Sequence, residues 1–162
     1  MSPREWFQQA GRWVGCSVVG AALLTVAPVS AQTPSGTQNM AFGTVLPGVP
    51  SVVARTDATR AGRFDVRGTR RAEVSILFVL PAAMTSGGAS MPMVFGAGDG
   101  GYSANNNIAA ATPFDPRVPL ITRLGNSGRL YVFLGGTLQP SSQQASGAYT
   151  ATIAMNVAYT GN

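Results

Sequence analysis

Ala148-Tyr149-Thr150-Ala151-Thr152-Ile153-Ala154-Met155-Asn156-Val157-Ala158-Tyr159 decides the fold class. Its odd positions read Tyr, Ala, Ile, Met, Val, Tyr, and its even positions are small or polar. A strand sends successive side chains to opposite faces. A helix would scatter the odd set around its circumference. The pattern therefore predicts one long β-strand with an apolar face, followed only by Thr160, Gly161 and Asn162. Such a strand buries its face against another sheet or offers it to another molecule. The candidate assembly residues are accordingly Tyr149, Ala151, Ile153, Met155, Val157 and Tyr159.

Upstream, Arg129-Leu130-Tyr131-Val132-Phe133-Leu134 predicts a strong strand that continues through Gly135-Gly136-Thr137-Leu138 with a kink or bulge. Before it, Gly125-Asn126-Ser127-Gly128 has the residues of a hairpin turn, and residues 120–124 form a weak strand. Residues 73–80 carry Val74, Ile76, Phe78 and Leu80 on one face and Ser75, Leu77 and Val79 on the other. Apolar residues on both faces place this strand centrally in a sheet. Arg63-Phe64-Asp65-Val66-Arg67 alternates with Phe64 and Val66 inward and the charges outward. Residues 40–46, 51–55 and 91–95 are shorter strands, and Pro92 in the last suggests an edge or entry position. Residues 82–90 read as a loop. In all, seven to nine short strands and no helix predict an all-β protein, a β-sandwich.

Residues 96–119 are rich in Gly, Asn, Ala and Pro and show no period. Long irregular stretches in compact domains are frequent binding loops. Asp99 and Tyr102 are its candidate recognition residues. Gly96-Ala97-Gly98-Asp99-Gly100-Gly101 has the look of a calcium turn, but one carboxylate is too few for an oxygen cage, and no metal is expected there. At strand spacing, Tyr131, Tyr149 and Tyr159 are near-core residues with their hydroxyls at the rim.

Composition excludes much chemistry. The chain has no His and no Lys, and its single Cys is Cys16. No Ser–His–Asp or Cys–His nucleophile can be assembled, nor a Schiff-base lysine, nor a zinc site of His and Cys. The six carboxylates, Glu5, Asp57, Asp65, Glu73, Asp99 and Asp115, form no recognisable catalytic pair by spacing. No cofactor and no enzymatic activity are expected. Arg55, Arg60, Arg63, Arg67, Arg70 and Arg71 crowd one stretch, within a chain of net charge +5. Acids interrupt that stretch and no aromatic residues interleave as a base-stacking surface needs, so no nucleic acid is expected. The arginines read instead as a solvated face that discourages edge-to-edge aggregation.

Residues 1–31 have the parts of a secretory signal peptide: Arg4 and Arg12, an apolar run centred on Val18 to Val26, Pro28, then Val29-Ser30-Ala31 before a cut at Gln32. The run is short for a membrane span, so no integral span is expected after cleavage. Residues 32–39 form a polar leader and residues 40–162 a single domain. The expected location is the periplasm, the cell surface or the medium.

Three segments together resemble a known family: residues 40–48 (Met40-Ala41-Phe42-Gly43-Thr44-Val45-Leu46-Pro47-Gly48), residues 62–68, and Leu134-Gly135-Gly136-Thr137-Leu138 through Gly147-Ala148-Tyr149-Thr150 to Val157-Ala158-Tyr159. They resemble the bacterial DUF4402 family of secreted proteins, which is similar to spore-coat-U-type and chaperone–usher pilin domains. The resemblance implies an immunoglobulin-like, pilin-like β-sandwich, which in pilins lacks one strand. A chaperone and then a neighbouring subunit's leader fill that gap by strand addition. It implies a structural subunit of a pilus, fimbria or coat, with a periplasmic chaperone, an usher and neighbouring subunits as partners. The carboxylate of Asn162 would then be the chaperone's anchoring point. The alternative is a self-complete secreted module that binds glycan or another envelope component through residues 96–119. The chain departs from pilins in its leader: residues 32–39 are short and polar where a donor needs about one apolar strand.

Overall fold

The computed structural model describes residues 34–161. The signal-peptide region, Cys16 and Asn162 lie outside the described residues. Twelve strands run in the order β1 (Ser35–Gln38), β2 (Ser51–Val53), β3 (Gly62–Arg67), β4 (Glu73–Val79), β5 (Ala83–Ser86), β6 (Ala89–Val94), β7 (Gly100–Ser103), β8 (Thr112–Phe114), β9 (Leu120–Arg123), β10 (Arg129–Leu134), β11 (Gly136–Leu138) and β12 (Ala154–Tyr159). No helix occurs among the described residues. The protein is all-β, and its antiparallel sheets stack as a β-sandwich. One sheet has the order β1-β3-β10-β7-β8, a second β2-β11-β6-β5 and a third β12-β4-β9.

The core lies between the five-stranded sheet and the other two. From β3 and β10 come Val66, Leu130, Val132 and Leu134; from β4 come Val74, Ile76 and Phe78; Met91, Met93, Leu138 and Val53 come from the second sheet. Phe64 of β3 meets Phe78 of β4 edge to face at 5.5 Å, which joins the layers. Each such side chain, when fully buried, stabilises the fold by roughly 1.5–3 kcal/mol.

Gly135 sits where β10 ends and β11 begins, so one run of chain serves two sheets. A Cβ at that position would lie 2.4 Å from the Val53 carbonyl oxygen, so only glycine allows the crossing. The kink expected from Gly135-Gly136 is thus a change of sheet, a recognised way to turn a sandwich corner.

Several sequence expectations need correcting. Residues 40–46 form no strand, although Phe42 is buried in the core. The leader is not loose: Ser35 pairs with Asp65 and Gly36 with Phe64, making β1 an edge strand of the five-stranded sheet. Residues 82–90 hold a hairpin instead of a loop, with β5 paired to β6 around Gly87 and Gly88, both at positive φ (53° and 88°). That two-glycine turn twists with the strands it joins. Residues 125–128 do close a tight turn, with the Gly128 N–H donating to the Gly125 carbonyl and the Gly125 N–H to the Arg129 carbonyl, both at 2.9 Å, and Gly128 at φ 72°, but no extended hairpin follows from it. Their flanking strands diverge, β9 to β4 and β10 to β3 and β7, because the chain changes layers there. Pro92 lies in an interior strand, at the point where β6 leaves β5 and takes up β11. The central position of β4 holds, between β12 and β9, but its second apolar face is in solvent: Leu77 is 42%, Val79 56% and Ile121 of β9 64% exposed.

Candidate functional site: a cleft beside the terminal segment

The terminal segment is not one continuous strand. Thr150 first exchanges two backbone hydrogen bonds with Thr85, at 2.9 and 3.0 Å, on the edge of β5. Residues 151–153 pair with nothing in the described chain, and β12 then runs along β4 from Ala154↔Val79 to Tyr159↔Val74. The alternation survives this break. Met155 and Val157 are buried, Tyr149, Ile153 and Tyr159 half-buried, and Thr150, Thr152, Ala154, Asn156 and Ala158 exposed. Side-chain burial set the register, because a slip of one residue would expose the whole apolar set. Ala151 alone of the odd positions is exposed.

Where the segment passes from one sheet edge to the other, a cleft of 540 Å³ opens. Ile153, Met155 and Tyr149 form one wall, and Met40 and Phe42 belong to the segment that follows β1. Phe64 and Leu134 come from the five-stranded sheet and Met84 and Met93 from β5 and β6. No charged side chain lines it. Of the six candidate assembly residues, Tyr149, Ala151, Ile153 and Met155 meet here, whereas Val157 and Tyr159 do not. Val157 packs in the core opposite Ile76, and the Tyr159 hydroxyl accepts a hydrogen bond from the Thr69 backbone N–H at 3.0 Å. The Tyr149 hydroxyl accepts from Gln144 Nε2 at 2.7 Å and donates to the Ala145 carbonyl at 2.8 Å, which fixes its ring at the cleft rim.

The backbone beside the cleft is also available. β4 flanks β12 on one side, and among the described residues no strand flanks it on the other. An edge strand presents a row of N–H and C=O groups able to receive another chain. Met40, Phe42 and Leu134 were not singled out from the sequence. The apolar residues of 40–46 were legible, but not that they would face the terminal segment.

The candidates in residues 96–119 both have partners within the fold. Asp99 Oδ2 accepts from the Gly96 N–H at 2.7 Å, closing its own turn. Tyr102 lies in β7, not in a loop; it pairs with Val132 and packs edge to face on Phe114 at 6.1 Å. Asp115 binds Arg117, whose guanidinium and backbone N–H hold the carboxyl at about 2, below its ordinary 3.8.

The arginine stretch is largely exposed, at Arg60, Arg67, Arg70 and Arg71, yet most of its guanidinium groups are tied to neighbours. Arg55 donates to the Ala111 carbonyl and Arg70 to the Asn126 carbonyl, while Arg71, at φ 58°, donates to the Asn126 side chain. Arg60 pairs with Asp57, whose carboxyl is held low first by the Thr59 N–H and then by Arg60. Asp65, expected outward, is buried beneath Arg67. These arginines reach across to pin loops, a role their long donor-bearing stems suit. Among the described residues no group of three or more His, Cys, Asp or Glu is placed to hold a metal, and no helix is long and apolar enough to cross a membrane.

Neither the curated proteins nor the solved structures yield a match to this chain. Residues 24–159 match the family model described as Domain of unknown function (DUF4402). That match spans most of the sequence and the whole sandwich up to Tyr159, and the chain therefore belongs to the DUF4402 family.

Proposed function

We propose that the chain is a structural subunit of a bacterial surface appendage or coat, assembled by strand pairing, and that it works by holding on instead of turning over substrate. One observation carries this reading. A cleft with no charged side chain, lined by Phe42, Phe64, Leu134, Ile153 and Met155 together with the polar Gln38, Asn39 and Thr150, adjoins a strand whose outer backbone edge has no partner in the described chain. The occupant is an extended segment of a neighbouring subunit, uncharged and with apolar side chains at every second position. Its backbone pairs with the terminal segment while its side chains fill the space above Phe42, Phe64 and Leu134. The resemblance of the sequence to pilin-type domains supports the same reading, with an immunoglobulin-like sandwich, export to the periplasm or surface, and a chaperone and usher as assembly partners. The carboxylates are no obstacle to it: Asp57, Asp65, Glu73, Asp99 and Asp115 each hold a local partner.

The test uses the exported chain from Gln32 onward, alone and with a flexibly tethered donor of about ten residues carrying Val or Ile at alternate positions. Size-exclusion and thermal unfolding are read on both. The expected result is self-association of the chain alone, and a monomer melting roughly 5 °C or more higher with the donor. A monomer that melts cooperatively without a donor, and is indifferent to one, would overturn the reading.

A further inference from the structure

The two ends of the molecule differ in charge. About the cleft, residues 39–50, 80–88 and 139–148 contain no charged side chain. At the Tyr159 end of β12 two connections lie side by side. The Gly68 N–H donates to the Gly128 carbonyl at 2.8 Å, and the Leu124 N–H to the Ala72 carbonyl at 3.0 Å. The strand partners Arg129↔Arg67 and Arg123↔Glu73 border them. This end gathers Arg67, Arg70, Arg71, Arg123 and Arg129, and within residues 65–73 and 123–129 the only carboxylates are Asp65 and Glu73. Both are taken. Asp65 Oδ2 accepts from Arg67 at 2.8 Å, and Glu73 accepts from Thr160 Oγ1 at 2.6 Å with Arg123 Nε at 3.7 Å. Arg70 and Arg71 are exposed, and among the described residues neither has a carboxylate within ion-pair distance. One residue braces both: Arg70 Nε donates to the Asn126 carbonyl at 2.6 Å and Arg71 Nε to Asn126 Oδ1 at 2.7 Å. These bonds use only Nε, and the Nη groups of both arginines have no hydrogen-bond partner among the described residues.

Two cations braced on one neutral residue repel each other, and the fold supplies them no counter-charge. Arg71 also sits at φ 58°, the one non-glycine residue at positive φ among the described residues. Glycine would hold that conformation without strain, so the arginine there carries a backbone cost. The free Nη edge of a guanidinium fits the paired oxygens of a carboxylate or a phosphate. A second copy of this chain is a poor source of them, because its carboxylates hold partners of their own and its cleft is uncharged. A lipid surface is disfavoured because none of the exposed large apolar side chains falls in residues 67–72 or 123–129. A nucleic acid is disfavoured because those residues include no aromatic ring on which a base could stack. An acidic polysaccharide needs neither an apolar anchor nor a stacking surface, and its repeated charges suit a cationic end.

We propose that this arginine end binds an acidic polysaccharide, whose carboxylate or phosphate groups are received by the Nη edges of Arg70 and Arg71 while Asn126 holds the two in place and Arg123 adds to the field. None of these residues lines the cleft, so strand addition and glycan binding stand or fall separately. The experiment titrates the exported chain from Gln32 onward, in whichever form is monomeric, alone or donor-tethered. The probes are polygalacturonate, phosphomannan, neutral dextran, and vesicles of phosphatidylcholine with phosphatidylglycerol. Calorimetry reads binding, and melting is followed on every variant. The expected result is saturable binding of at least one acidic polysaccharide, weakened by salt, and none of dextran. Polygalacturonate alone would assign the carboxylate, and phosphomannan alone the phosphate. Arg70→Gln with Arg71→Gly should weaken binding about tenfold or more while the chain still melts cooperatively, since glycine accepts the positive φ. Asn126→Ala keeps both charges and should weaken binding about threefold or more. Arg60→Gln with Arg117→Gln removes the same charge elsewhere and should change it less than about twofold. Four results would overturn the proposal: no binding of either acidic polysaccharide at low salt, equal losses in the two double variants, full-strength binding by Asn126→Ala, or binding of the vesicles without either polysaccharide.

Discussion

The terminal segment and residues 96–119 behaved in opposite ways. The first has a clear period of two, and its hydrogen bonding is interrupted at residues 151–153. The second has no period, yet it contains β7, which pairs on both sides with β10 and β8. The difference teaches that side-chain alternation reports burial, not backbone pairing. In the terminal segment bulky residues alternate and the inward face persists through the break. In β7, Gly100 and Gly101 have no side chains to alternate, so paired backbone leaves no mark on the sequence.

The sharpest way to break that comparison is to charge the apolar face. Val157→Asp places an unpaired carboxylate in the core and should remove more than about 4 kcal/mol, enough to prevent a folded state; urea unfolding and export yield measure it. Ile153→Asp, at the cleft wall, should cost less stability but eliminate the stabilisation produced by a tethered donor strand. Equal effects of the two would mean that position 153 is core and not cleft.

In the glycine strand, Gly100→Ala tests whether close packing replaces pattern. Its Cβ would stand 2.7 Å from the Phe114 ring and 2.8 Å from the Phe114 carbonyl oxygen. The expected loss is about 1–3 kcal/mol by denaturant unfolding. A neutral result would show that β8 yields readily.

Tyrosines compare the regions more finely. Tyr149→Phe removes a hydroxyl with two partners and should cost about 1 kcal/mol. Tyr102 packs through its ring, so Tyr102→Phe should leave the melting temperature nearly unchanged.

The smallest effect is pH-dependent. Asp115 is depressed to about 2 from 3.8, so its contribution is complete above the higher value and disappears as pH falls through the lower one. Asp115→Asn should therefore lower the melting temperature slightly at neutral pH and make no difference in strong acid.

Much of the fold was legible because bulky residues carried it: Phe64 and Val66 in β3, Leu130, Val132 and Leu134 in β10, and the inward face of β12. The hairpin at Gly87-Gly88 carried a two-residue turn signal that the loop-like composition of residues 82–90 obscured. β1 was hidden because Ser35–Gln38 is a polar edge strand with nothing apolar to bury. The cleft was half legible. Its wall at Ile153 and Met155 follows from alternation, but its floor at Phe42, Phe64 and Leu134 depends on pairings between distant residues.

By itself the sequence determined the all-β class, the inward face of the terminal segment, and the absence of histidine and lysine chemistry, since each follows from residue identity and a local period. Only the tertiary structure decided that the chain changes sheets at Gly135, that Asp65 is buried under arginines, and that the terminal segment leaves a gap between two sheet edges. These are non-local facts. They arise from which strands lie beside one another, and neighbours far apart in the chain leave no periodic trace in it.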